Sequence, residues 1–205
     1  MPNGTFVVFE GVDGSGKSTQ CQLLYDRLEK NGIPATLVRE PGGTKTGEYI
    51  RKWLSSGSDI DPMSELLLFS AARSALVSQK IQPALNIGNV VISDRYMYSS
   101  IAYQSFGRGL DLEKIMTINH IATEGLTPDI AFLIDIPPEV SLKRINNREE
   151  DRFEKEDMDF HRNVRHGFLQ TANRDSVLWS TINGETHPDD IHELVWARMR
   201  EKVFG

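Results

Sequence analysis

The chain has 205 residues, of which 39% are hydrophobic and 25% charged, with 16 glycines and 9 prolines; this is ordinary usage for a soluble globular protein, and the length suits one domain over residues 1–205 with a substantial core. Lys and Arg number 23 against 29 Asp and Glu, leaving a formal net charge of −6, which argues against a nucleic-acid-coating role because such a role needs a basic surface to release counterions. A single cysteine, Cys21, excludes an internal disulfide framework and a cysteine zinc cluster.

Short β-branched or aliphatic runs then alternate with helical patterns from end to end. The expected strands are Thr5–Glu10, Ala35–Arg39, Asn89–Asp94, Ile130–Ile136 and Ser176–Ile182; the first, third and fourth are near-continuous apolar runs, as strands buried on both faces require. Between the first two, residues 17–31 place Cys21, Leu24, Tyr25 and Leu28 on one helical stripe, and Gly32 supplies a stop. Asp61-Pro62 is a capping and first-turn pair for a long helix toward Gly88, in which Pro83 is expected to kink or split the last turns. Asp111 caps a helix ending near Gly125, and segments near 138–147, 156–173 and 188–203 complete the set. Each connection between strands is long enough for a right-handed crossover, so the expectation is an α/β fold: a single doubly wound, parallel, five-stranded sheet flanked by helices, with its active-site loops at the carboxyl ends of the strands. The opening MPNGTFVVFEG has no basic stretch before a long apolar run, and no window approaches eighteen apolar residues, so the sequence reads as a cytoplasmic protein with no membrane partner. His161/His166 and His187/His192 are each five apart, off the i,i+4 spacing of helical metal-ligand pairs.

The strongest chemical signal is Gly11-Val12-Asp13-Gly14-Ser15-Gly16-Lys17-Ser18-Thr19, a G-x-x-x-x-G-K-[ST] phosphate loop set between a strand and a helix. Glycines let backbone N–H groups converge on phosphate, the helix dipole adds to them, Lys17 is placed to reach the β/γ-phosphates, and the Ser18 hydroxyl is suited to Mg²⁺. A second carboxylate, Asp94, ends the third strand and is of the kind that holds Mg²⁺ or its waters, with Arg95 beside the same cleft.

Such a loop leaves the second partner open. A guanine-reading N-K-x-D sequence is absent, which weakens a switch GTPase, and the length weakens a mechanical ATPase. A small-molecule kinase gains support from the arginines, because two phosphorylated substrates must be clamped while charge builds on the transferred group. Arg39 and Arg95 end strands, Arg51 and Arg73 fall on early helices, and Lys143, Arg144, Arg148 and Arg152 lie in or beside a charged stretch without apolar periodicity, about 146–156, that has the character of a lid. Two other readings remain open on these residues: a kinase of another nucleoside monophosphate or deoxynucleoside, and a non-enzymatic nucleotide-binding protein.

Glu10–Thr19, Arg39-Glu40-Pro41-Gly42-Gly43-Thr44, Phe69-Ser70-Ala71-Ala72-Arg73, Asp94-Arg95-Tyr96 with Ser99, Ser100, Tyr103 and Gln104, and the lid segment resemble the thymidylate kinase family, in that family's order, from Phe6 to the last helix. The resemblance implies transfer of the ATP γ-phosphoryl to dTMP in a Mg²⁺-dependent homodimer, with Glu40 in the substrate site. It implies that Phe69 stacks on thymine while Arg73 and Gln104 bond its polar edge; without it, Leu66-Leu67-Leu68-Phe69 reads as core. It also implies that Arg95 and Arg51 hold the dTMP phosphate, that Ser99 and Ser100 belong to the substrate site, that Asp13 lies near the 3′-hydroxyl and that phosphate, and that Tyr103 packs beside C2′. Because Val12 to Ser15 include no Lys or Arg, the chain resembles the lid-type members common in bacteria, with Arg148 and Arg152 both available to meet the transition state.

Overall fold

In a computed structural model, which describes residues 4–56, 59–145, 153 and 156–203, five parallel strands form one sheet in the order β2-β3-β1-β4-β5. The strands are β1 (Thr5–Glu10), β2 (Ala35–Arg39), β3 (Val90–Asp94), β4 (Ile130–Asp135) and β5 (Trp179–Asn183). β1 runs through the centre, in register with β3 from Thr5↔Val90 to Phe9↔Asp94 and with β4 from Val7↔Ile130 to Glu10↔Leu133.

Side chains on a strand alternate between faces, so a strand in the middle of a covered sheet is apolar at nearly every position. Phe6 and Val8 enter one core with Val91, Ala131 and Leu133, whereas Val7 and Phe9 enter the other with Ile92, Phe132 and Ile134. The second face is covered by α1 (Lys17–Lys30) and α9 (Pro188–Val203), which contribute Leu24, Leu28, Val195 and Met199. The first face carries α3 (Pro62–Leu76), which follows α2 (Lys45–Leu54), then α4 (Gln82–Asn86), α5 (Met97–Ser100), α6 (Leu112–Thr123), α7 (Pro138–Ile145) and α8 (Met158–Ala172) on the path through and around it. Its packing includes an edge-to-face pair, Phe6 with Tyr96, at 4.9 Å.

The helix boundaries follow local chemistry. Asp61 caps α3 by accepting from Met63 N and Ser64 N, each at 3.0 Å, and Asp111 caps α6 by accepting from Lys114 N at 3.0 Å. The expected disturbance at Pro83 takes the form of a π-helical turn, Val77–Ile81, immediately before α4; proline lacks an N–H and its ring crowds the preceding turn, and a widened turn relieves both. β5 begins three residues later than the sequence suggests, because the Asp175 carboxylate accepts from Val177 N and Leu178 N at 3.0 Å and holds them in a turn. A second π-helical stretch, Ile101–Gly107, continues α5 and has no clear sequence signature.

This topology places the loop after β1 beside the residues after β3, at the carboxyl edge where the strand order reverses. Gly11 leaves β1 with φ 143°, and a Cβ built there would lie 2.4 Å from the Ile134 carbonyl oxygen of β4. Gly11→Ala is therefore expected to combine backbone strain with a backbone clash, lowering stability by at least about 2 kcal/mol in denaturant titration; an unchanged midpoint would contradict this packing.

Candidate active site

The loop from Gly11 to Gly16 joins β1 to α1, whose N-cap is Gly16. No side chain caps α1, so its first amides remain open toward the loop, an arrangement suited to anions. Lys17 Nζ donates to Val12 O at 2.8 Å and is buried. Burial, then repulsion from Arg95, pulls its ammonium down to about 8, against the attraction of Asp13, Asp94 and Glu10. The Ser18 hydroxyl donates to the Asp94 carboxylate, so the two oxygen groups suited to Mg²⁺ are in direct contact.

Arg95 follows Asp94 in a left-handed conformation, φ 74°, and its N–H donates to Phe9 O at 2.9 Å. That turn swings the side chain over the start of the loop. Its Nη1 donates to Gly11 O at 3.1 Å and Ser99 Oγ at 3.0 Å; Nη2 donates to Asp13 Oδ1 at 2.8 Å and Tyr103 Oη at 3.3 Å. Tyr103 Oη in turn donates to Asp13 Oδ2 at 3.0 Å. Burial raises the Asp13 carboxyl, but the Arg95 and Lys17 cations outweigh it and hold the group well below the usual carboxylate range.

Glu10, the last residue of β1, is fully buried. Its Oε1 accepts from Tyr96 N at 2.9 Å and Ser99 N at 3.1 Å, and Oε2 from Ser99 Oγ at 2.6 Å. It thereby caps α5 from another strand, where the N-cap residue Tyr96 has no side-chain cap of its own. Burial raises its carboxyl to about 7 despite the opposing pull of Arg95.

Beside this cluster lies a cavity of about 740 Å³ including space open to solvent, within the range of small-molecule sites. Asp13, Arg95, Ser99, Ser100, Tyr103 and Gln104 contribute to one side; Glu40, Arg51, Phe69 and Arg73 face the same space. All the residues that the sequence suggested for an acceptor are therefore brought together. Phe69 is half-buried and lines the cavity rather than joining the core. Phe153, whose ring lies 6.0 Å from Phe69 and 5.6 Å from Tyr103, forms a further wall. It is the lone aromatic in a charged run, a signal the sequence reading passed over.

Arg73 is the most enclosed cation in the site. Nε donates to Glu40 Oε2 at 2.8 Å, the same oxygen that lies 2.7 Å from Nη2 in an ion pair, while Nη1 donates to Ser100 Oγ at 3.1 Å and Asn119 Oδ1 at 2.7 Å, and Nη2 to Tyr96 O at 3.2 Å. Four of the five guanidinium N–H groups are thus engaged in hydrogen bonds within the protein, which fixes the plane of Arg73 at the cavity wall. Glu40 Oε1, by contrast, is buried with no hydrogen-bond partner among the described residues. Arg51 Nη1 donates to Pro41 O at 3.3 Å, which ties α2 to the cavity wall.

The loop is also gripped from α7. Ser141 Oγ donates to Asp13 O at 2.6 Å, and Arg144 Nη1 donates to Gly14 O at 3.2 Å and Gly184 O at 3.1 Å. Arg39 lies apart from this cavity, pairing with Glu48 at 3.2 Å. Arg148 and Arg152 fall outside the described residues.

A family model described as thymidylate kinase matches residues 9–195. The chain is 43% identical over 203 residues to a thymidylate kinase of Caldanaerobacter subterraneus subsp. tengcongensis, covering 98% of each chain, and 41% identical over 201 residues to one of Sulfurihydrogenibium sp., covering 97% and 98%. Its structure is similar to the crystal structure of thymidylate kinase from Ehrlichia chaffeensis, with a TM-score of 0.80 and 34% identity over 97% of this chain and 99% of that one.

Glu10 gives the site a pH dependence of known sign. A carboxyl raised by burial costs nothing while protonated; the cost grows as pH rises from about 4.5 to about 7 and is constant above. Replacement by the neutral isostere in Glu10→Gln is expected to remove a fall of up to about 3 kcal/mol in wild-type stability across that interval. Parallel pH profiles of unfolding free energy for wild type and variant would contradict it.

Proposed function

The chain belongs to the thymidylate kinase family, and on that premise we propose that it transfers the γ-phosphoryl group of ATP to dTMP, giving dTDP and ADP. The observation that carries the reading is that Arg95 and Asp13 belong at once to the phosphate loop and to the acceptor cavity. A phosphate held by Arg95 in that cavity lies against the loop that cradles the donor, which is the positioning that phosphoryl transfer needs.

In this reading the loop amides, the first turn of α1 and Lys17 bind the donor phosphates, Lys17 exchanging its contact with Val12 O for a phosphate oxygen. Arg95 and Arg51 hold the dTMP phosphate. Phe69 and Phe153 flank the base, Gln104 and Arg73 face its edge, and Tyr103 packs against the deoxyribose. An oxygen of the acceptor phosphate attacks Pγ, the bond from Pγ to the bridging oxygen breaks, and that oxygen leaves with ADP. The attacking oxygen is already anionic, so no strong base is needed, and Asp13, held ionised and weakly basic by its cations, suits a role in orienting Arg95 rather than in taking a proton. Ser18 and Asp94 would hold Mg²⁺, which supplies neutralising charge to the β/γ-phosphate oxygens.

The loop has no cation between Val12 and Ser15, so Arg148 or Arg152 supplies the remaining positive charge from the lid. The chain works as one domain, since donor and acceptor sites arise from one sheet edge. We assign it to the cytoplasm as a homodimer: α2, α3 and α6 pack in succession and leave Tyr49, Trp53, Leu67, Met116 and Ile121 exposed, an apolar surface suited to a second copy. Among the described residues no helix is long and apolar enough to cross a membrane.

The direct test is ADP release with dTMP, dUMP, dCMP and dGMP as acceptors. The reading expects dTMP to give the highest kcat/KM; preference for another monophosphate, or no acceptor-dependent turnover, would overturn it. A lid arginine that stabilises mainly the transition state should, on change to Ala, lower kcat on the order of 10²-fold with dissociation constants for ATP and dTMP little altered. Wild-type kcat in Arg148→Ala, Arg152→Ala and the double variant would contradict the lid assignment.

A further inference from the structure

Glu65 lies on α3, one turn before Phe69, and is fully buried without lining the cavity. A carboxylate in such a place needs partners to offset its desolvation. Oε1 accepts from Gln104 Nε2 at 2.8 Å, and Oε2 lies 3.5 Å from Arg108 Nη2, whose Nη1 pairs with Glu156 at 2.6 Å. Gln104 is 1% exposed and sits at the cavity wall.

A carboxamide has a donor end and an acceptor end of nearly the same shape, so its orientation is decided by what it faces. An ionised carboxylate accepts and cannot donate. Glu65 turns the Gln104 nitrogen inward, Nε2 donating to Oε1 at 2.8 Å; reversed, the amide would set its oxygen against that carboxyl oxygen in a buried place. The oxygen is what Gln104 keeps for the cavity. Thymine and uracil carry a hydrogen on N3 next to the O4 acceptor, whereas cytosine has an N3 lone pair next to an amino donor. An amide with its oxygen fixed toward N3 accepts from the first two and meets the third with two lone pairs.

We infer that Glu65 is a positioning residue that sets base selectivity: it holds the Gln104 amide in one orientation and so favours pyrimidines protonated at N3 over cytosine. The inference rests on the reading that Gln104 faces the base edge.

Dissociation constants for dTMP, dUMP and dCMP, measured by calorimetry on the full chain, test it. In Glu65→Gln the new side chain can donate or accept, the Gln104 amide is free to turn, and the preference for dTMP over dCMP is expected to fall at least about tenfold while the dTMP/dUMP ratio stays as in wild type. Glu65→Met, which removes the acceptor at similar length, carries the same expectation should the first variant not fold. A dTMP/dCMP ratio within about twofold of wild type, with Gln104→Leu still weakening dTMP, overturns the role of Glu65 alone. If Gln104→Leu leaves dTMP binding unchanged, Gln104 does not meet the base, and the inference falls with the reading beneath it.

Discussion

One cation, Arg95, joins the two halves of the site. It is seated at the seam of β1 and β3, with its guanidinium bound to Gly11, Asp13, Ser99 and Tyr103. A guanidinium taken from water needs such acceptors, and the sheet supplies them because β1 and β3 are paired and end together. At Arg95 the chain turns left-handed, φ 74°, and the side chain reaches across to the loop after β1. The phosphate loop, the cavity and α5 therefore share one set of coupled charges.

That sharing has an energetic consequence. Glu10, Asp13, Lys17 and Arg95 are close enough that each alters the others, with burial pushing Glu10 up and Lys17 down while the surrounding cations keep Asp13 ionised. Binding phosphate to such a cluster adds negative charge near Lys17 and Arg95, which favours their charged forms. The glycine at position 11 and the cap that Glu10 provides for α5 keep these groups in place before any nucleotide arrives, which is the preorganisation that electrostatic catalysis relies on.

The three inner strands were legible because a parallel sheet covered on both faces favours near-continuous apolar runs, and the phosphate loop because its glycines and lysine have fixed spacing. Asp61 and Asp111 marked helix starts for the plain reason that their carboxylates meet free amides. The sequence was silent where long-range contacts decide. Ile101–Gly107 buries Ala102, Tyr103 and Gln104 in succession, a pattern that a 3.6-residue period does not produce and a π-helical turn does. Glu65, four residues after the Asp61 cap, looks like an acidic residue placed for the helix dipole, yet it is buried against a residue 39 positions away. Arg73 reaches partners 23 to 46 residues distant, and nothing local announces Asn119 as one of them.

In the proposed reaction Arg95 recognises the phosphate of the acceptor rather than merely bracing the loop. Comparing the affinities of dTMP and thymidine, which differ only in that phosphate, for wild type and Arg95→Met tests it most directly. Wild type is expected to prefer dTMP strongly, and Arg95→Met to bind thymidine about as wild type does while losing most of the preference, on the order of 10²-fold for a charge-assisted contact in a shielded site. A preference for dTMP that survives the substitution unchanged would contradict it.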